Sequence, residues 1–290
     1  MKDCSCDKLT NKEAIQNIYR TADNLRAKYE VMQRYGIQQE TFEKWVLHQL
    51  ALIGCERVLD IGCGEGRFLL PIARPIRSKG GWVVGCDLSR GVMAPIQDAS
   101  AREDLPVRLS VAQAEALPFP PRLFDLVMAN HMLYHVPDIP KALREAYRVL
   151  KPRGRFLATT NSWKGMPELY ALHLQTMAEL GISYRAEKKD PFSLENGAPQ
   201  LSEVFGNVQL LTYEAGFRVT KPEPVLSYYM ATQLYQVPYN DPDTPASTRA
   251  AIASTFRRLT AEAISKAGGT LAISKPVAAF ICQKDGQNCG

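Results

Sequence analysis

The sequence lacks the apolar segments that would place it in or across a membrane. No apolar run in the 290 residues approaches the roughly 18 consecutive residues that a membrane-spanning helix requires. The first ten residues, MKDCSCDKLT, are polar, and no apolar segment follows them as it would in a secretory signal peptide. These absences predict a soluble cytoplasmic protein with no membrane partner.

Zinc-type cysteine spacing is also absent. The chain has seven cysteines, an odd number that does not suit a disulfide framework. Three of them lie within or beside apolar runs: Cys55, Cys63 and Cys86. The pairs near the two ends, Cys4 with Cys6 and Cys282 with Cys289, do not have the C-x2-C spacing of a zinc ribbon. The sequence therefore predicts reduced, mostly buried thiols and no metal site.

Charge of one sign is not concentrated anywhere in the chain. The net charge is +5, and the basic residues are spread in short clusters such as Lys188-Lys189 and Arg257-Arg258. A protein that binds nucleic acid usually gathers its basic residues on one face or tail. The pattern argues against a nucleic-acid partner.

What the chain does contain is an alternation of short apolar runs and helical stretches. Five strands are predicted at 57–62, 81–88, 107–113, 124–130 and 155–161, with helices near 66–77, 91–103 and 138–150. Two helices within 11–53, broken near Gly36, come before the first strand. This alternation is typical of an α/β protein with a parallel sheet and helices on both faces.

After residue 161 the pattern is less regular. Helices are predicted at 167–181 and 245–268, a loop at 188–200, and two late strands at 207–219 and 275–284 that complete the other edge of the sheet. We divide the chain into an N-terminal helical cap (1–53), a cofactor-binding core (54–163), and a lid insertion with the C-terminal completion of the sheet (164–290).

A glycine-rich turn follows the first strand. Gly62, Gly64 and Gly66 allow a tight backbone turn, and the helix that begins next offers unpaired N–H groups to a ligand. A dinucleotide fingerprint requires G-x-G-x-x-G, whereas this loop reads G-x-G-x-G and carries Asp60 and Glu65. Two carboxylates would repel a pyrophosphate and attract the sulfonium and ammonium of S-adenosylmethionine. The loop therefore favours this cationic cofactor over a nicotinamide cofactor.

The second strand ends in another carboxylate, 21 residues after Gly66. Asp87 can accept hydrogen bonds from both ribose hydroxyls of an adenosine ligand, a role that does not by itself distinguish the two cofactors. An aspartate that only caps the next helix is the structural alternative. Leu88 and Met93 are expected to contact one face of the adenine.

Five segments occur in a characteristic order: VLDIGCGEGRF, VVGCDLSRGVM, AQAEALPFP, FDLVMANHMLYHVPD and ALREAYRVLKPRGRFLATT. With them the chain resembles the class I S-adenosylmethionine-dependent methyltransferases, and more narrowly the small-molecule branch that includes ubiquinone, sterol and natural-product enzymes. The resemblance covers about residues 45–161, and the tail is similar more loosely.

The resemblance implies a Rossmann-like sheet of seven strands in the order 3-2-1-4-5-7-6, the last strand antiparallel, with a helical lid. It also implies roles near the cofactor. Residues facing the methionine moiety are Asp60, Gly62, Cys63 and Gly64. Residues at the adenine are Gln113, Ala114 through its backbone N–H, and Glu115, while Asn130 offers its backbone carbonyl to the ammonium. Gln113 stands where an aspartate is usual, and its amide oxygen can accept the same hydrogen bond without charge.

The loop after the fourth strand, NHMLYHVPD, carries His131 and His135, four residues apart. Three roles are open: a metal pair, a general base, or support of the loop. A metal needs a third ligand, and only Asp138 is near in sequence. An imidazole titrates near neutrality, which suits a general base. We assign His131 toward the acceptor and His135 to the support of the cofactor loop, with both kept as catalytic candidates.

The acceptor pocket is the least readable part of the sequence. The resemblance implies that the N-terminal helices and the insertion after strand five cover the acceptor, and Tyr29 and Trp163 are our candidate lid residues. We predict in-line methyl transfer to a small molecule in secondary metabolism, by a monomer or homodimer. The alternatives are a non-catalytic binding protein of the same fold and a nucleic-acid methyltransferase, although the N-P-P-Y-type loop of base-methylating enzymes is absent.

Overall fold

The computed structural model describes residues 23–183, 191–239 and 244–286. Seven strands in these ranges form one sheet in the order β3-β2-β1-β4-β5-β7-β6. Their bounds are β1 Arg57–Ile61, β2 Trp82–Asp87, β3 Val107–Val111, β4 Phe124–Asn130, β5 Leu150–Asn161, β6 Val208–Val219 and β7 Leu271–Gln283. The pairs among β1 to β5 are parallel, and β7 runs antiparallel to β5. The predicted strand order and orientation are confirmed.

The helices connect the strands in the expected alternation. Their bounds are α1 Asp23–Tyr35, α2 Phe42–Leu50, α3 Leu69–Ile76, α4 Ala94–Glu103, α5 Ile139–Val149, α6 Pro167–Glu179, α7 Gly197–Phe205, α8 Pro222–Met230, α9 Gln233–Tyr239 and α10 Ala246–Lys266. The two predicted N-terminal helices correspond to α1 and α2, and the part of that prediction before residue 23 lies outside the described residues. No described helix has the length and apolarity to cross a bilayer.

The sheet separates two apolar clusters. Because side chains alternate along a strand, Leu59 and Val127 pack on one face while Val58 and Leu126 pack on the other. The first cluster continues into α5 and α7, and the second into α2, α3 and α4. A strand buried on both faces reads as a continuous apolar run, which is why β1, β2 and β4 were recognisable in the sequence.

The loop predicted at 188–200 is wrong over its last residues, because α7 begins at Gly197. Glycine, proline and asparagine in this stretch indicated a turn. The helix is stabilised by contacts with distant parts of the chain: Phe205 stacks on Phe156 with ring centroids 4.9 Å apart. A Cβ on Gly197 would lie 2.8 Å from the ring of Phe280, so only glycine fits closely there. Neither contact is encoded locally. The helices α8 and α9 were not predicted either.

The described residues group into two units by their contacts. The core unit comprises 40–163, 191–213 and 277–286, and the helical unit comprises 23–39, 164–183, 214–239 and 244–276. The core unit contains the clusters on the two sheet faces, while the helical unit has its own cluster around Tyr229 and Phe256, whose rings stack 3.9 Å apart. Each unit therefore has a hydrophobic core of its own. The domain boundaries at 53 and 163 stay a prediction.

Candidate active site

The glycine loop leaves β1 at the carboxyl edge of the sheet. Gly62, Gly64 and Gly66 have φ of 66°, 52° and 82°, in the left-handed region that a side chain disfavours. The N–H groups of Gly62 and Cys63 both donate to the carbonyl oxygen of Cys86, at 2.7 and 3.0 Å. The loop is thus held against the end of β2. A Cβ on Gly64 would meet no atom within 4 Å, so open space lies beside it.

Asp87 joins the glycine loop to the end of β2. Its Oδ2 accepts a hydrogen bond from the Gly64 N–H at 3.1 Å, and its Oδ1 accepts one from the Ser89 N–H at 2.9 Å. Each carboxylate oxygen can accept more than one hydrogen bond, so both remain available to hydroxyl donors. The sequence predicted a ribose contact for this residue. The structure shows that this carboxylate fixes the loop and the turn after β2, and the ribose contact stays a prediction.

Asp60, Asn130 and Thr159 form a buried chain of polar side chains across three adjacent strands. The Asn130 side-chain amide donates to Asp60 Oδ1 at 3.2 Å, and the Thr159 hydroxyl donates to Asn130 Oδ1 at 3.2 Å. Burial raises the pKa of Asp60 to about 7; the hydrogen bond from Asn130 opposes this rise and the negative charge of Asp87 adds to it. The Asn130 side chain and Thr159 were missed, because only the folded sheet shows that they are neighbours.

The residues assigned to the adenine lie where β2 and β3 end. Leu88 is 40% exposed, which leaves its side chain open to a ligand, whereas Met93 is buried. Ala114 is buried, Gln113 is exposed and Glu115 is half-buried. The segment is fixed by a 3.1 Å hydrogen bond from the Ala112 N–H to the carbonyl of Asp87.

The two histidines have different settings in the loop after β4. His131 has a φ of 51°, and its N–H donates to the carbonyl of Thr159 at 3.0 Å, which holds this strained residue against β5. The His135 N–H donates to the carbonyl of Met132, and its ring lies 4.4 Å from that of Tyr134 in an edge contact. His131 therefore follows Asn130 directly at the end of β4, while His135 lies in the turn that comes next.

An aromatic group that sequence reasoning missed lies on one side of His131 and contacts it through Phe42. The ring of Phe42, in α2, lies 5.6 Å from the His131 ring and 5.4 Å from that of Tyr213. Trp45 and Phe68 complete the group, with centroids 6.0 and 6.1 Å from Phe42. The helical periodicity of α2 predicted a packing face but not its partner. The core unit thus provides an aromatic wall beside the loop that follows β4.

The two candidate lid residues belong to different units. Trp163 follows β5 in the core unit, and its backbone N–H donates to the carboxylate of Glu195 at 3.2 Å. Tyr29 lies in α1 of the helical unit and is 37% exposed. Their contact with an acceptor stays a prediction.

The described residues contain no group of three or more His, Cys, Asp or Glu side chains arranged to hold a metal ion. Cys4, Cys6 and Cys289 lie outside them. The thiols near the glycine loop are buried, and burial raises the pKa of Cys86 to about 12 and that of Cys63 further. Neutral thiols are poor nucleophiles, so Cys63 has a packing role in the loop.

Residues 59–158 match the family described as "Methyltransferase domain". Demethylmenaquinone methyltransferase of Symbiobacterium thermophilum is 32% identical over 152 residues, which cover 50% of this chain and 59% of that protein. The enzyme of the same name from Staphylococcus aureus is 27% identical, over 63% of this chain and 77% of its own. The aligned part of the first relative is thus less than two thirds of its length.

Solved structures share the fold at low sequence identity. The 4+2 cyclase SpnF has a TM-score of 0.56 at 18% identity, over 93% of this chain and 96% of its own. Phosphoethanolamine N-methyltransferase 2 of Haemonchus contortus, in complex with S-adenosyl-L-methionine, has a TM-score of 0.52 at 18% identity, over 98% and 60%. A fold shared by a cyclase and a methyltransferase does not define a reaction, so the reaction has to be argued from the site.

Proposed function

We propose that the chain is a class I methyltransferase that transfers a methyl group from S-adenosylmethionine to a small-molecule acceptor. The observation that carries the proposal is the pair of carboxylates, Asp60 and Asp87, at the open glycine loop. A nicotinamide cofactor is not favoured, because the carboxylates of Asp60 and Glu65 in the glycine loop would repel its pyrophosphate at close range.

The residues at the carboxyl edge fit this cofactor. The space beside Gly64 allows a ligand to approach the backbone closely, since a Cβ there would meet nothing within 4 Å. Asp87 can accept hydrogen bonds from the ribose hydroxyls, and the exposed face of Leu88 suits the adenine ring. The backbone carbonyl of Asn130 and the carboxylate of Asp60 suit a cationic ammonium. No group here requires a phosphate.

The chain's own contribution to the reaction is alignment and the exclusion of water. When bound, S-adenosylmethionine supplies an electrophilic methyl group on a sulfonium. The hydrogen bonds of Asp87 and the Asp60–Asn130–Thr159 chain fix the loop that holds the cofactor. The aromatic wall around Phe42 excludes water from one side. Holding two reactants in line lowers the barrier without a further chemical group.

His131 is the residue we assign to the acceptor side. Its imidazole lies against Phe42, one residue after Asn130. There it can take a proton from an acceptor's hydroxyl group or acidic C–H group as the acceptor forms its bond to the methyl carbon. A neutral amine needs no such base before it attacks. His135, packed on Tyr134, supports the turn.

We further propose that the acceptor is a flat, largely apolar molecule. The aromatic wall of Phe42, Trp45 and Tyr213 suits an aromatic ring system. The relatives named above are demethylmenaquinone methyltransferases, so a reduced naphthoquinone is the first acceptor to test.

The test measures methyl transfer from radiolabelled cofactor to a panel of acceptors: a reduced demethylated naphthoquinone, a phenol, a primary amine and a short RNA. We expect a labelled naphthoquinone or phenol product, identified by mass spectrometry. Asp87→Ala should weaken cofactor binding at least tenfold, whereas Asp98→Ala, an exposed aspartate on α4, should not change it. Label found in RNA alone would contradict the proposal, and cofactor binding without any product would favour a non-catalytic binding protein.

A further inference from the structure

A second concave site lies at the opposite edge of the sheet. A cavity of about 600 Å³ is formed by α5, α7 and the segments that precede β4 and follow β7. Arg122 in its wall comes just before the first residue of β4, whereas Asn130 ends that strand. At roughly 3.3 Å per residue, β4 places the two edges about 20 Å apart. None of the residues that we assign to the methyl donor lines this cavity.

Basic side chains dominate the charged lining of the cavity. Arg122, Arg144, Arg148 and Lys284 face a single carboxylate, that of Glu203. Glu145 neutralises Arg148 in an ion pair with a nitrogen–oxygen distance of 2.7 Å. In the part of the chain that the structure describes, Arg122 and Arg144 have no ion-pair partner. An excess of positive charge therefore remains in a concave surface.

The backbone of Arg122 is held beside α5. Arg122 has a φ of 58°, a left-handed conformation that is unfavourable for a non-glycine residue. Its N–H donates to the carbonyl of Arg148 at 3.0 Å, at the end of α5. Arg144 lies one helical turn before Arg148 on the same face of α5, and Glu145 already balances the charge of Arg148. The side chains of Arg122 and Arg144 are exposed, so their guanidinium groups are open to an anion from solvent.

Lys284 adds a third fixed cation. Its ammonium donates to the carbonyls of Tyr147 and Leu150, at 2.7 and 2.9 Å, and lies 4.3 Å from the centre of the Tyr147 ring. Burial and the nearby charge of Arg122 lower the pKa of Lys284. The repulsion between these two cations is a cost that an anion bound between them would remove.

We propose that this cavity binds a small phosphorylated molecule with an apolar or aromatic body. The guanidinium groups of Arg122 and Arg144 suit the oxygens of a phosphate, which an arginine can bind through two parallel hydrogen bonds. The rest of the wall is formed by the apolar side chains of Pro121, Pro140, Leu143 and Val204, the ring of Tyr147 and the amide of Gln200. The volume lies within the roughly 300–1,000 Å³ of small-molecule sites.

The test titrates the full chain with phenyl phosphate at constant ionic strength, with phenylacetate as the carboxylate counterpart. Calorimetry gives the dissociation constant, and amide chemical shifts locate the ligand. We expect saturable binding of phenyl phosphate with shifts in α5 and α7, and binding of phenylacetate at least tenfold weaker. The Arg122→Gln and Arg144→Gln substitutions should each weaken binding about tenfold, since each removes one charged hydrogen-bond donor to the phosphate.

The matched control is Arg102→Gln, which removes an exposed arginine from α4 and should leave phenyl phosphate binding unchanged. Arg144→Lys keeps the charge but loses the planar pair of donors, so its affinity should be intermediate. S-adenosylmethionine affinity and circular dichroism should be the same in all variants, which separates this site from the methyl-donor site and from misfolding. Absence of saturable binding, equal binding of phenylacetate, or unchanged binding after both arginines are replaced would overturn the proposal.

Discussion

At the scale of single residues, Asp60 has the largest effect on the electrostatics of the site. A carboxylate that is 1% exposed loses the hydration that stabilises its charge, and one hydrogen bond from Asn130 does not replace it. Its pKa of about 7 means that the carboxyl is half protonated near neutral pH in the free protein. A cationic ligand beside it would favour the charged form, so binding and proton release are coupled.

The affinity for S-adenosylmethionine should therefore depend on pH. Below pH 7 the carboxyl of Asp60 must lose its proton before it can attract the ammonium. The dissociation constant should therefore rise up to tenfold for each unit by which the pH falls from about 7 to 5. Calorimetry at several pH values measures this slope. Asp60→Asn should bind weakly with no such slope, and Asp98→Asn should follow the wild type. A slope that Asp60→Asn retains would assign the titration to another group.

The same pKa has a consequence for stability. Because the folded pKa of Asp60 lies above its ordinary value of 3.8, the folded state holds more protons between about pH 4 and pH 7. This contribution to the free energy of unfolding is complete below pH 4 and is lost as the pH rises to 7. The asparagine in Asp60→Asn does not titrate. The free energy of unfolding of this variant, measured by urea denaturation, should therefore rise by on the order of 2 kcal/mol relative to that of the wild type as the pH increases from 5 to 8. If the difference in free energy of unfolding between variant and wild type did not change with pH, burial would not be the cause of the raised pKa.

The two histidines should separate in activity. His131→Ala removes the imidazole beside Phe42, so we expect unchanged cofactor affinity and at least a hundredfold lower kcat with an acceptor that must lose a proton. With an amine acceptor the loss should be small. His135→Ala is the matched control and should change thermal stability more than kcat, because its ring packs on Tyr134. Full activity of His131→Ala would return this residue to a structural role.

At the scale of elements, the site depends on how closely the glycine loop packs on β2. A Cβ on Gly85, within this strand, would lie 2.8 Å from the sulfur of Cys63 and 2.9 Å from a methyl group of Leu69. The strand alternation that buries β2 thus also requires the absence of a side chain at one position. Neither close contact is visible in the sequence, where Gly85 interrupts an otherwise apolar run.

Gly85→Ala should therefore displace the loop. We expect a loss of about 1–3 kcal/mol in the free energy of unfolding, as for other overpacked cores, together with weaker cofactor binding. Gly91→Ala is the control, since a Cβ there has only the Ser89 hydroxyl at 4.0 Å and the backbone is not left-handed. Equal stability and affinity in the two variants would show that the loop accommodates the methyl group.

At the scale of the whole molecule, the two units have separate hydrophobic clusters, and every assigned cofactor residue lies in the core unit. A ligand that binds only the folded state stabilises it by about 2.7 kcal/mol at a concentration of 100 times its dissociation constant. S-adenosylhomocysteine at that concentration should raise the Tm of the core unit's transition by several degrees, measured by calorimetry.

Hydrogen exchange should assign this stabilisation to the core unit. We expect amides of β1, β2 and β4 to exchange more slowly with the ligand, while α8 and α10 change less. Asp87→Ala, with binding weakened at least tenfold, should reduce the shift in Tm to about half or less at the same ligand concentration. A Tm shift of equal size in Asp87→Ala would place the ligand elsewhere.

The sequence by itself determined the strands of the sheet, and it predicted the nature of the site. Apolar runs about five to seven residues long, separated by amphipathic stretches, predict parallel strands because strands buried on both faces leave no polar position. The glycine loop with Asp60 and the carboxylate of Asp87 at the next strand end predicted a cationic nucleoside ligand, since charge and spacing are local properties.

Only the tertiary structure decided which residues are neighbours across the chain. The hydrogen bonds from Asn130 to Asp60 and from Thr159 to Asn130 join strands separated by 70 and 29 residues, and they accompany the burial that raises the pKa of Asp60. The aromatic wall around Phe42 and the helix α7 likewise depend on partners far along the chain. Burial and contact are properties of the packed molecule, so no local pattern could supply them.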